Sequence, residues 1–400
     1  MADEATSARF GYRQAPPAVF EDTQQVRRER HKFTLFGHST ACSPLRTAPN
    51  VISLTSQEYI TLDRYMSRLS IAAGIAPAAE LARLARRAED AGFDALWTAE
   101  MFHDPFLPLA AAASSTSRIR LGTSIALAFV RSPWVTALSA LDLDVLSGGR
   151  FILGLGTGLK RLNERWHGVA YGKPTPHIRE CVKLIRLITE RAHTGEPIRF
   201  SGHYYDVDIQ GWQRPLAPTR ENIPIYLAGV REGMIRTAAE VADGLLGHPI
   251  YSLRWINEVV LPSLSRGLRD SGRRREDFEL CLAVCCAVDR DVAAARRAAA
   301  ATIAFYATVN TYEPLFAHFA LEVANIRDAL MSGDQGRMVD AVSDEMVDAF
   351  AVAGPPGEVK RNIAEYAQLA DSICLSPPDQ LIDPRETERY REALLATFSD

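Results

Sequence analysis

Eight short apolar runs alternate with stretches of helical periodicity along this chain, and that rhythm limits its possible folds more than any other feature. The runs are RLSIAAG (68–74), ALWTA (95–99), IRLGTSIAL (119–127), RFILGLGTG (150–158), IPIYLAG (223–229), GLLGH (244–248), FELCLAVCCAV (278–288) and SICLS (372–376). Their near-continuous hydrophobicity is that of strands buried on both faces. Between them, residues 77–92 place Pro at the start and Gly past the end of an amphipathic helix. Further helices are expected at 107–115, 133–149, 232–242, 252–270, 292–307 and 357–370. Alternation of this kind predicts an α/β fold with a parallel sheet, and eight strands close a (β/α)8 TIM barrel.

Two segments interrupt the rhythm. Residues 197–221 carry aromatic residues and several prolines and are expected to form a loop with a small hairpin, whereas 308–345 reads as a mostly helical insertion. Insertions that follow a strand lie at the barrel face where chemistry occurs. Residues 1–65 lack sustained periodicity and are expected to be a poorly ordered, dispensable extension of a domain spanning 66–400.

A net charge of −4 gives no reason to invoke nucleic acid or anionic lipid, and no run of about 18 apolar residues suggests a membrane span. The N-terminus lacks the apolar core of a signal peptide, so a cytoplasmic location is expected. Three of the six cysteines lie in FELCLAVCCAV, which suits a buried strand with reduced thiols, and no metal site is expected.

The three alternate glycines of RFILGLGTG let a backbone approach something closely. Their spacing fits neither the dinucleotide fingerprint nor a phosphate-binding P-loop, because Leu159 or Arg161 stands where a third glycine is needed and no Gly-Lys-Ser/Thr follows. A plain tight turn and a ligand-facing loop both remain open on this stretch alone. At 228–231, Ala228, Gly229, Val230 and Arg231 link a strand end to a helix start, where free N–H groups and the helix dipole favour an anion.

Four motifs in barrel order, WTAEMFHDPF, LGTSIALAFVRSP, SGGRFILGLGTG and IPIYLAGVREGMIRTAAEVADG, resemble the bacterial luciferase-like superfamily. Within it the chain is similar to the branch that uses deazaflavin coenzyme F420, typified by methylenetetrahydromethanopterin reductase-like proteins. The resemblance implies that Gly156, Thr157 and Gly158 lie beside the ring. It implies a non-prolyl cis peptide at Ser124–Ile125, next to Thr123, propping the ring from behind, and a cofactor phosphate at Ala228, Gly229, Val230 and Arg231. Similar sugar-phosphate dehydrogenases place an Asp-His pair at the positions of Glu100 and Met101. Because Met101 takes no proton, His103 is the expected replacement, with Glu100 and Asp104 completing a catalytic cluster.

Asn163, Trp166 and His248, with Met101, are expected to line the substrate pocket, and Tyr205 and Trp212 to cover it. The function implied is hydride exchange between F420 and an unidentified small organic molecule, by a chain that relatives suggest forms a homodimer. Two alternatives stay open: an FMN-dependent monooxygenase fed by a separate reductase, and a flavin or deazaflavin carrier without turnover.

Overall fold

The computed structural model describes residues 68–399, so the expected extension at 1–65 lies outside the described residues. Eight parallel strands close on themselves in chain order: β1 (Leu69–Ala72), β2 (Ala95–Thr98), β3 (Arg120–Thr123), β4 (Phe151–Gly156), β5 (Ile225–Ala228), β6 (Gly244–Leu246), β7 (Glu279–Val288) and β8 (Ser372–Ser376). The seam is made by β8 on β1, with Leu69 opposite Ile373 and Ile71 opposite Leu375. This is the expected (β/α)8 TIM barrel.

Local sequence chemistry explains the elements. The helix Pro133–Ser147 starts where the Ser132 hydroxyl accepts the Val135 N–H and Pro133 follows, and it stops at Gly148 with φ +66°. The helix Ala78–Asp90 buries Leu81, Leu84, Ala85 and Ala88 on one stripe. The expected hairpin pairs Ile198–Ser201 with Asp206–Ile209, and the 308–345 segment is mostly short helices.

Three elements were not anticipated. The helix Pro174–Arg191 follows β4 and buries Ile178, Cys181, Val182, Ile185 and Ile188; its signal was Pro174 followed by apolar residues at helical spacing. A helix Pro384–Phe398 ends the described chain, and a short strand Ala351–Gly354 pairs with the outer end of β7. The run at 119–127 is also not one strand. It breaks after Thr123 and resumes as Ala126–Leu127, which pairs with Leu155 and Gly156 of β4.

The barrel interior is filled rather than open. At its lower end the Glu279 carboxylate accepts hydrogen bonds from Arg68 (2.6 Å), Arg120 (3.1 Å), Ser372 Oγ (2.7 Å) and Tyr226 Oη (2.7 Å), and Arg120 also pairs with Asp94. Burial alone would raise the Glu279 pKa, but the Arg120 charge and these donors outweigh it and bring it down to about 2. Above lie Trp97, Ile152, Tyr226, Leu246, Cys281 and Cys374, with Trp97 Nε1 donating to Ser70 Oγ at 2.9 Å. The C-terminal strand ends form the mouth, the face at which barrels of this kind place their sites.

The five cysteines among the described residues are free and buried, and burial pushes their thiols up. Among the described residues no cluster could hold a metal, and no helix is long and apolar enough to cross a membrane.

Candidate active site at the barrel mouth

The mouth is shaped by the break in the third strand. Between the pairs Gly122–Ile152 and Ala126–Leu155, the β3 side spends one residue more than β4, so the chain bulges. Thr123 stitches the gap: its hydroxyl donates to Gly154 O (2.7 Å) and accepts from Gly154 N–H (2.9 Å). The Ser124–Ile125 peptide is cis. Ser124 N–H donates to Thr98 O (2.6 Å), and Glu100 N–H donates to Ile125 O (3.0 Å). Ile125, Ala72 and Ala228 pack on the interior cluster and floor the mouth.

The alternate glycines answer to this bulge. A Cβ on Gly154 would lie 1.8 Å from Thr123 O, one on Gly156 2.6 Å from Ile125 Cδ1, and one on Gly158, at φ +61°, 2.6 Å from Leu127 Cδ2. The close approach signalled by their spacing is therefore made first by this chain's own atoms, the Thr123 backbone at Gly154 and the Ile125 and Leu127 side chains at Gly156 and Gly158.

On the β2 side, Arg131 gathers both carboxylates of the expected cluster. Its Nη1 donates to Glu100 at 2.6 Å and its Nη2 to Asp104 at 2.7 Å. Glu100 also accepts the Leu127 N–H (2.7 Å), and Asp104 accepts the N–H groups of Phe106 (2.8 Å) and Leu107 (3.1 Å) at the start of the helix Phe106–Ser115. Both acids thus hold the β2 loop to the bulge. His103 stands between them in sequence with its Nε2 buried and without a hydrogen-bond partner among the described residues. Met101 and Phe102 are exposed.

Beyond β4, Asn163 is fully buried and braces the glycine loop from below, its Nδ2 donating to Thr157 O (2.9 Å) and Leu159 O (3.0 Å). Trp166 is half exposed. The Tyr171 hydroxyl lies 3.0 Å from Thr157 Oγ1 and 3.1 Å from Gly158 O. His177, which sequence reasoning missed, stacks between Phe129 (3.7 Å) and Tyr204 (4.1 Å). A carbonyl can only accept, so His177 Nδ1–H donates to Tyr171 O (3.0 Å) and Nε2 accepts from the Tyr205 hydroxyl (3.0 Å). Burial lowers its pKa, in keeping with this neutral form. Tyr205 and Trp212, expected to cover substrate, are half-buried, Tyr205 against His177 and Trp212 edge-on to Trp134 at 4.6 Å.

At the end of β5, Gly229 packs so tightly that a Cβ would meet Ile235 N at 3.2 Å, and its carbonyl accepts from the Tyr251 hydroxyl. Val230 and Arg231 lead into the helix Glu232–Val241, and the Arg231 guanidinium donates to Asn310 O (3.1 Å) and Thr311 O (3.4 Å). After β6, the His248 ring lies 4.5 Å from Tyr306 and 4.3 Å from Tyr312. Burial pushes the His248 pKa down to about 3, so the ring is neutral. A separate surface cleft of about 630 Å³, lined by Asp289, Arg290, Lys360 and Arg389 among others, shares no residue with the mouth.

The model of the luciferase-like monooxygenase family matches residues 57–372. An uncharacterised protein of Mycobacterium tuberculosis is 40% identical over 285 residues, which are 69% of this chain and 84% of that protein. The 5,10-methylenetetrahydromethanopterin reductase of Archaeoglobus fulgidus is 31% identical over 297 residues, 72% of this chain and 86% of the reductase. Among solved structures, the coenzyme F420 dependent tetrahydromethanopterin reductase from Methanopyrus kandleri shares the fold with a TM-score of 0.68 at 23% identity, over 83% of this chain and 98% of that one. With its barrel, its bulged third strand and these matches, the chain belongs to the luciferase-like monooxygenase family.

Proposed function

We propose that this protein is a coenzyme F420-dependent oxidoreductase acting on a small organic substrate at the barrel mouth. The observation that carries the reading is the unpartnered, buried Nε2 of His103, on the loop tied through Glu100 to the bulge at Thr123, Ser124 and Ile125. A buried polar atom without a partner is costly, and a ligand's donor or acceptor at the mouth would relieve that cost at His103. The residues present fit the deazaflavin: an apolar floor at Ile125, a loop of small residues at Gly156, Thr157 and Gly158, and a helix start at Ala228, Gly229, Val230 and Arg231 suited to a phosphate. When bound, the cofactor supplies the hydride exchange.

The chain's own residues do the rest. His103 Nε2 holds or takes the proton of the substrate's oxygen. Glu100, Asp104 and Arg131 fix the loop that carries His103. Asn163 and Tyr171 keep the glycine loop in place.

The test is His103→Asn, assayed anaerobically by F420 absorbance against a panel of alcohols and ketones. Turnover is expected to fall about 10²-fold to 10⁴-fold while the F420 Kd stays unchanged. Unaltered turnover would remove His103 from the chemistry.

A further inference from the structure

Across the mouth from the bulge, three separate segments meet. His248 follows β6, Tyr306 and Tyr312 come from the end of the helix Val292–Ala307 and the turn after it, and Asp379 follows β8. The Tyr306 and Tyr312 rings are 4.9 Å apart and each sits edge-on or tilted against His248. Asp379 is anchored to the same helix one turn before Tyr306, its N–H donating to Thr302 Oγ1 at 3.3 Å. None of the expected site residues except His248 belongs to this group.

Two properties mark it as a binding wall rather than packed core. Tyr306, Tyr312 and His248 keep part of their surface accessible and Asp379 is exposed. Moreover, the hydroxyls of Tyr306 and Tyr312 form no hydrogen bond with the described residues, whereas that of neighbouring Tyr251 is committed to Gly229 O.

We propose that this half of the mouth is a subsite for an uncharged, ring-bearing substrate with one hydroxyl or carbonyl group, and that it rejects phosphates and carboxylates. The proposal rests on the reading of the mouth as the active site and adds the substrate class. Aromatic faces and edges supply apolar area and favourable ring contacts. The two free tyrosine hydroxyls supply donors for an oxygen. An anion would meet no cation of the wall itself, whose described residues include no Lys or Arg: Arg231 stands at the β5 end proposed for the cofactor phosphate, and Arg391, whose charge reaches Asp379, is paired with Glu388 and bonded to Ala72 O. His248 is held neutral by burial. Bringing a charge into such surroundings without a partner is strongly unfavourable.

Equilibrium binding of four probes to the full chain, by calorimetry with and without F420, tests this: benzyl alcohol, acetophenone, benzyl phosphate and benzoate. The alcohol and ketone are expected to bind at least about tenfold more tightly than the two anions. The double variant Tyr306→Phe/Tyr312→Phe, checked for native circular dichroism, is expected to lose about fivefold or more in acetophenone affinity with its F420 affinity unchanged. Tighter binding of benzyl phosphate or benzoate, no binding of any probe, or a double variant indistinguishable from the parent each overturns the proposal. Should the pattern hold while F420 fails to bind, the subsite stands and the cofactor assignment falls.

Discussion

Gly154→Ala is expected to cost the barrel about 3 kcal/mol or more, at the upper end of what overpacking does, and to yield little soluble protein. The reason is geometric. The added Cβ would sit 1.8 Å from the Thr123 carbonyl oxygen, which is backbone and cannot rotate away. Moving it means separating β3 from β4 at the point where Thr123 holds them with a reciprocal pair of hydrogen bonds. The bulge that shapes the mouth hangs on that pair, so the damage reaches the site as well as the core. Urea unfolding compares the variant with the parent. Alanine tolerated within about 0.5 kcal/mol would show that the two strands do not meet as described.

Glu279→Gln is expected to destabilise the protein by about 1.5–3 kcal/mol, because an isosteric amide takes from Arg68 its carboxylate partner and leaves the mostly buried Arg120 with Asp94 alone. The pH dependence follows from the same network. The Glu279 pKa lies at about 2 in the folded protein, below its ordinary 4.5. Its stabilisation is therefore complete above the ordinary value and is lost as pH falls from there through about 2. The parent should weaken across this acid range more steeply than the variant. Parallel stability profiles for the two proteins would mean that the ion cluster contributes nothing net.

The barrel was legible because strands buried on both faces leave continuous apolar runs, and eight such runs separated by helical stretches admit few other closures. The helix Pro174–Arg191 was hidden by its context: it precedes the irregular hairpin segment, and its buried face opens on His177, a polar residue that turns out to be buried in an aromatic stack. At the site, sequence shows residue types but not who holds them. Glu100 and Asp104 read as completing a catalytic cluster with His103, and nothing local reveals that Arg131, from the far side of the bulge, binds both. The glycine spacing at 154, 156 and 158 signalled a close approach correctly, but the approaching atoms belong to Thr123, Ile125 and Leu127. The Tyr306, Tyr312 and Asp379 wall left no pattern at all, because its members are far apart in the chain and meet only when β6 and β8 are brought to one rim.

The cofactor is the centre of the account, and an anaerobic fluorescence titration of the purified protein with oxidised F420, and with oxidised and reduced FMN, tests it most directly. Saturable F420 binding is expected that FMN does not displace and that weakens about tenfold or more in Gly156→Val, whose new side chain would push Ile125 aside. Binding of reduced FMN alone, or of neither cofactor, would contradict it.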